Sequence, residues 1–112
     1  MEQPDKWVVI KISQEGADDI YKVFATWMGG YLGGDAWRMN SGIAGVEEDD
    51  NYYTFNGYSG SKYQCQKGAY GMNGYSSGVL ENLTKQAKEM KGGIITVLDK
   101  DYDFMNLLTK DD

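Results

Sequence analysis

Apolar and polar residues alternate along most of this chain with the two-residue period of half-buried strands, and a single stretch keeps a helical period. Trp7-Val8-Val9-Ile10-Lys11-Ile12 is rich in β-branched residues and reads as a first strand. A polar break follows at residues 14–19. The run from Ile20 to Met28 then places Tyr21, Val23, Ala25 and Trp27 on one face and Lys22 and Thr26 on the other, which predicts a second strand. Residues 29–35 form a glycine-rich loop. From Ala36 the pattern is a three-strand meander: Trp37 to Val46, an acidic tip at Glu47-Glu48-Asp49-Asp50, Tyr52 to Phe55, an Asn56-Gly57 turn, and Lys62 to Gln66. Gly42 and Gly45 predict a bulge or bend in the long strand.

Beyond a second Asn-Gly pair at Asn73-Gly74, residues Val79, Leu80, Leu83, Ala87 and Met90 recur at helical spacing, with Glu81, Lys85, Lys88 and Glu89 on the other side. This predicts a helix over 76–91, capped by Ser76 or Ser77, with Glu81 in its first turn and Gly92 ending it in a left-handed conformation. Ile94 to Leu98 reads as a buried strand. The acidic tail after it carries Tyr102, Phe104, Met105, Leu107 and Leu108, apolar enough to dock on the body or on a second copy. The fold class expected is α+β, a single domain over residues 1–112: one curved antiparallel sheet of five or six strands with the helix packed across a face.

At 112 residues the chain supports one modest core. A hydrophobic fraction of 41% argues against disorder, and 15 glycines imply generous loops. No apolar run approaches the length of a membrane span, and the acidic start lacks the pattern of a signal peptide, so a cytoplasmic location is expected. The formal charge of −6 repels phosphate backbones at long range and argues against generic DNA or RNA binding.

The chemistry on offer is narrow. Histidine is absent, which removes Ser-His and Cys-His nucleophilic machinery. Cys65 stands alone, so no internal disulfide and no thiolate zinc site can form; it shares a strand face with Tyr63 and reads as a packing residue. Asp99-Lys100-Asp101-Tyr102-Asp103 opens like a calcium loop but has Phe104 where that loop needs glycine. No metal site, cofactor or catalytic residue is expected.

What remains points to binding. Trp27, Tyr31 and Trp37 flank the glycine loop, and Arg38 is the sole arginine; an arginine beside aromatic rings can pair with a phosphate while the rings stack on a base. Trp37 and Arg38 are adjacent on one strand and face opposite ways, so both serve one pocket only across a bulge or a second subunit. Tyr58, Ser59, Ser61 and Lys62 offer a ring, two hydroxyls, turn amides and a cation, the makings of an anion-binding nest or of an ordinary hairpin. Glu47, Glu48, Asp49 and Asp50 form the competing candidate, an acidic surface for a basic partner.

The stretch Trp37-Arg38-Met39-Asn40-Ser41-Gly42-Ile43, with Val46-Glu47-Glu48-Asp49, Tyr52-Tyr53-Thr54-Phe55 and Ser59-Gly60-Ser61-Lys62-Tyr63-Gln64-Cys65, resembles in style small accessory proteins of large tailed bacteriophages. The resemblance transfers no functional residue. It implies counter-defence: a non-enzymatic protein that sequesters a small nucleotide-type immune signal inside a homo-oligomer or, alternatively, an acidic inhibitor that blocks a host nucleic-acid-handling or defence protein by direct contact.

Overall fold

The chain forms three layers, a helix, a four-stranded sheet and a three-stranded sheet, because its first two strands are apolar on both faces. The computed structural model describes residues 1–29 and 33–108. In chain order these fold as β1 (Lys6–Ser13), β2 (Ile20–Trp27), β3 (Ala36–Met39), β4 (Ile43–Glu48), β5 (Tyr52–Gly57), β6 (Lys62–Gln66), α1 (Gly74–Lys91) and β7 (Ile94–Val97), with short 3-10 turns at Lys67–Ala69 and Phe104–Asn106. The first sheet has the order β3-β2-β1-β7 and the second β4-β5-β6, each pair antiparallel.

Strand alternation sorts the two cores. Trp7 and Val9 of β1 with Val23 and Ala25 of β2 point toward the second sheet and meet Ile43, Phe55, Tyr63 and Cys65. Val8, Ile10 and Phe24 point the other way, onto Leu80 of α1, with Trp37, Met39 and Ile95 packed around them. An aromatic cluster fills the space between the sheets: the Trp7 ring lies 4.7 Å from Tyr70, 5.4 Å from Phe55 and 5.6 Å from Phe104, centroid to centroid. Phe104 and Leu107 are buried there, so the apolar tail docks on its own body.

The α+β class holds, while the single curved sheet gives way to two. The stretch read as one strand from Trp37 to Val46 breaks at Asn40-Ser41-Gly42, and β3 and β4 belong to different sheets. Asn40 causes the break by imitating backbone: its N–H donates to Val23 O, and its side-chain Oδ1 accepts the Val23 N–H at 2.9 Å. Gly42, at φ +137°, then swings the chain into the second layer. The irregularity anticipated at the two glycines is present as a register shift between Ile43 and Gly45.

Neither Asn-Gly pair makes a turn. Asn56 and Gly57 end β5, the reversal falls on residues 58–61, and the glycine with positive φ there is Gly60. Asn73 is the N-cap of α1, and Gly74 its first residue. Asn73 Oδ1 accepts the Ser76 N–H at 2.8 Å while Ser76 Oγ accepts the Asn73 N–H at 3.0 Å, a reciprocal capping box. The helix therefore starts two residues before the expected point, with Ser76 as the third position of the box and Glu81 beyond the first turn. Gly92 ends it at φ +64°, as the sequence implied.

Candidate functional site

The tryptophans and the arginine proposed for binding divide between the faces of the first sheet. In the β2–β3 register Thr26 lies opposite Trp37 and Ala25 opposite Arg38, so Trp37 shares the helix side with Phe24 and Arg38 shares the inter-sheet side with Trp27. The Trp37 ring packs 5.5 Å from Phe24. Trp27 donates its indole N–H to Gln3 O at 3.0 Å, with its ring centroid 6.5 Å from that of Tyr63. The two tryptophans thus pack into separate cores on opposite faces of one sheet, and the aromatic pocket expected around the glycine loop is not assembled from them. Tyr31 lies outside the described residues.

What does come together lies at the other end of the second sheet. Residues 1–3 run along the open side of β6: Glu2 N–H donates to Lys62 O at 2.8 Å and Gln64 N–H to Glu2 O at 2.7 Å, which bridges Glu2 to Tyr63 in parallel. The Glu2 carboxylate consequently points to the inter-sheet side, where its Oε1 lies 3.2 Å from the Arg38 guanidinium. Tyr63 lies beneath this pair. Its phenol is held above the usual tyrosine range, first by burial and then by the Glu2 charge, with Arg38 offsetting part of the effect. Met1, Glu2, Gly60, Ser61 and Lys62 line an open cleft of about 420 Å³ at this corner.

The β5–β6 turn is fully engaged in its own construction. Gly57 N–H donates to Ser61 O, Tyr58 N–H to Gly42 O and Gly60 N–H to Gly57 O, while Ser59 N–H donates to Ser41 Oγ at 2.9 Å. Ser41 Oγ also lies 3.2 Å from Ser59 Oγ. Four consecutive amides are therefore spent on the turn, and the anion-binding nest of backbone N–H groups does not form. Side chains carry whatever recognition the corner has: Ser61, Lys62 on the outer face of β6, the Glu2 carboxylate with its Arg38 partner on the inter-sheet face, and on the same turn Tyr58, whose ring rests on Gly42 and is 72% exposed.

The acidic tip sits about 17–20 Å away, at the opposite end of β5. Its four carboxylates are unequal. Glu48 pairs with Lys67 at 2.6 Å, and this bond raises the lysine above its usual range. Asp49 Oδ1 accepts the N–H groups of Asn51 and Tyr52 at 2.8 and 2.7 Å and so builds the turn. Glu47 accepts a long bond from Asn56 at 3.4 Å. Asp50 is exposed, with no hydrogen bond or ion pair among the described residues.

Cys65 is fully buried, and burial pushes its thiol far above the ordinary range, which fits a packing role. Among the described residues no cluster of three acidic or cysteine side chains is arranged to hold a metal, and no helix is long and apolar enough to cross a membrane. Glu2 and Ser41 are the site residues that sequence reading missed. The signal for Glu2 was the β6 edge, a strand with an unassigned side that some segment had to cover. No protein-family model matches the chain, and neither a curated protein nor a solved structure matches it.

Proposed function

We propose that this chain is a non-enzymatic binding protein that holds a small anionic ligand of nucleotide type in the cleft between its N-terminal segment and the β5–β6 turn. The observation that carries this reading is one open cleft of about 420 Å³ lined by Met1, Glu2, Gly60, Ser61 and Lys62, within the usual size range of small-molecule sites, with Arg38 paired to Glu2 on the inter-sheet side. Lys62 supplies a point charge for a phosphate, and Ser61 a hydrogen-bonding hydroxyl. Glu2 is an acceptor for ribose hydroxyls or a base amino group, and Arg38 becomes a second phosphate partner wherever a ligand displaces Glu2 from it. The resemblance to phage accessory proteins supplies the biological half: the ligand would be a host immune signal, titrated out of solution in the bacterial cytoplasm.

Purified protein melted against a panel of cyclic nucleotides and ADP-ribose derivatives tests this, because a ligand bound by the native state alone raises the melting temperature. The expected result is a concentration-dependent rise with at least one member, lost in Lys62→Ala and kept in Lys62→Arg. A panel with no stabilising member, or one whose effect survives Lys62→Ala, overturns the reading.

The second reading, an acidic inhibitor of a host protein, draws on Asp50, without a partner among the described residues, and on the weakly held Glu47. Only these two probe it cleanly, since Glu48 and Asp49 hold the hairpin together. A Glu47→Gln, Asp50→Asn variant that recovers the same host proteins as wild type, with the same salt dependence, removes it.

A further inference from the structure

Among the described residues each sheet edge except one carries a device against pairing with another chain. The outer edge of β6 is covered by Glu2. β4 combines a register shift with Glu47 and Glu48, and β3 carries Arg38, whose side chain is 66% exposed. These are the recognised protections of open edges: coverage, irregularity and charge. β7 has none of these three, its one protection being its length of four residues. Its residues Ile94-Ile95-Thr96-Val97 include no charge, no proline and no bulge, it pairs on one side only, and Ile94 is 62% exposed.

From this contrast we infer that the free edge of β7 is an interface at which two copies of the chain pair antiparallel, joining their four-stranded sheets into one of eight strands. The Leu98 N–H bond to Val9 O, with Ile10 opposite Val97, fixes the phase of the strand. Ile94 and Thr96 turn their backbone groups toward β1, and Ile95 and Val97 turn theirs outward. A two-fold axis at Thr96 sets Ile95 of one copy against Val97 of the other, so each outward N–H and C=O finds a partner in a self-complementary contact. The flanks match in charge. The end of α1 before the strand is net basic in sequence, with Lys85, Lys88 and Lys91 against Glu89 and the Glu81 that pairs with Lys85 at 3.7 Å, and the turn after it is net acidic, with Asp99, Asp101 and Asp103 against Lys100. Antiparallel pairing lays each basic end beside the other copy's acidic end, and parallel pairing would oppose like charges. This occupant is a second copy rather than an unrelated strand because the same chain supplies both halves of that complementarity.

Sedimentation velocity from about 1 to 100 µM, a range in which dimers of modest affinity dissociate measurably, reads the result. Wild type is expected to approach twice the 12.5 kDa chain mass as concentration rises. Val97→Pro removes an N–H that faces outward, and Ile94→Lys places a charge on the exposed edge; each is expected to sediment as a monomer while melting within a few degrees of wild type. A wild type that stays monomeric across the range, or a dimer that persists in both folded variants, overturns the proposal. Ile94→Lys remains decisive if Val97→Pro fails to fold.

Discussion

Asn73 joins the helix to the connection between β2 and β3 as well as capping it. Its Oδ1 holds the Ser76 N–H, and its Nδ2 donates to Asp35 Oδ2 at 3.0 Å, while Asp35 Oδ1 in turn accepts the Gly29 N–H at 3.1 Å. At an ordinary N-cap aspartate performs as well as asparagine, and alanine costs about 1 kcal/mol. Here the order should change. Asn73→Asp sets a carboxylate against Asp35, so it is expected to lose stability as Asn73→Ala does and to recover part of it at high salt, where the alanine variant does not. Urea unfolding at two ionic strengths separates the two. Gly42 permits a sharper test, since a Cβ there would stand 2.9 Å from Tyr58 Cδ2 on a backbone at φ +137°. Gly42→Ala should cost more than about 2 kcal/mol, from backbone strain and the clash together, and the double variant with Tyr58→Ala should regain only the clash.

Among the elements, the tail is the one whose contribution is easiest to measure. Phe104 arrives from a 3-10 turn and touches Trp7, Tyr53, Phe55 and Tyr70 in the inter-sheet cluster. Phe104→Ala should destabilise by about 3–5 kcal/mol, the usual cost of deleting a buried ring, with the loss visible in chemical unfolding. A solvated tail would give almost none. The sequence made strands legible because alternation is local: Tyr21, Val23, Ala25 and Trp27 share a face as their spacing implied. The helix was legible for the same reason. Sheet membership was not, since it depends on Asn40 bonding both backbone groups of Val23, a contact across 17 residues that no periodicity encodes. The candidate site suffered similarly. Arg38, Ser61 and Lys62 were identified by residue type, but Glu2, which pairs with the arginine and lines one cleft with the other two, arrives from 36 positions away from the arginine. The Asn-Gly pairs misled for a plainer reason: asparagine serves caps as readily as turns, and only the chain that follows decides which.

The whole molecule is fitted for neutral rather than alkaline conditions. Tyr21, Tyr53, Tyr63 and Tyr70 and the Cys65 thiol are all raised above their ordinary ranges, in each case chiefly by burial. For these groups the folded state keeps protons that the unfolded chain has begun to release, so stability is unaffected below the unfolded pKa values and falls as pH rises through and beyond them. The thiol enters this window first, at about pH 8.5, and the phenols near 10. Lys67 acts in the same direction, because its bond to Glu48 is present while the ammonium is charged and is lost once pH passes its raised value. Melting temperature should therefore be nearly flat from about pH 6 to 8 and drop steeply above about 9.5. A Cys65→Ser variant should shift the start of that decline upward. A flat profile through pH 11 would mean that these groups are far more open to water than their packing implies.

The pairing of β1 with β7 has a consequence in time. β1 is central to its sheet, yet Lys11 waits for Thr96, on the strand that follows the helix. On a ribosome adding about 5–20 residues per second, β1, β2 and β3 can pair and the β4–β6 hairpins can close while one side of β1 still lacks its neighbour. Tyr70 is in place early but incomplete: its hydroxyl accepts the Val9 N–H at 3.1 Å and must wait for Leu98 O, 2.6 Å away in the finished fold, to take its proton. The first sheet is thus sealed by β7, the latest of its strands in sequence, and a nascent chain stopped before residue 94 would leave the middle of its best strand open to any passing β-segment.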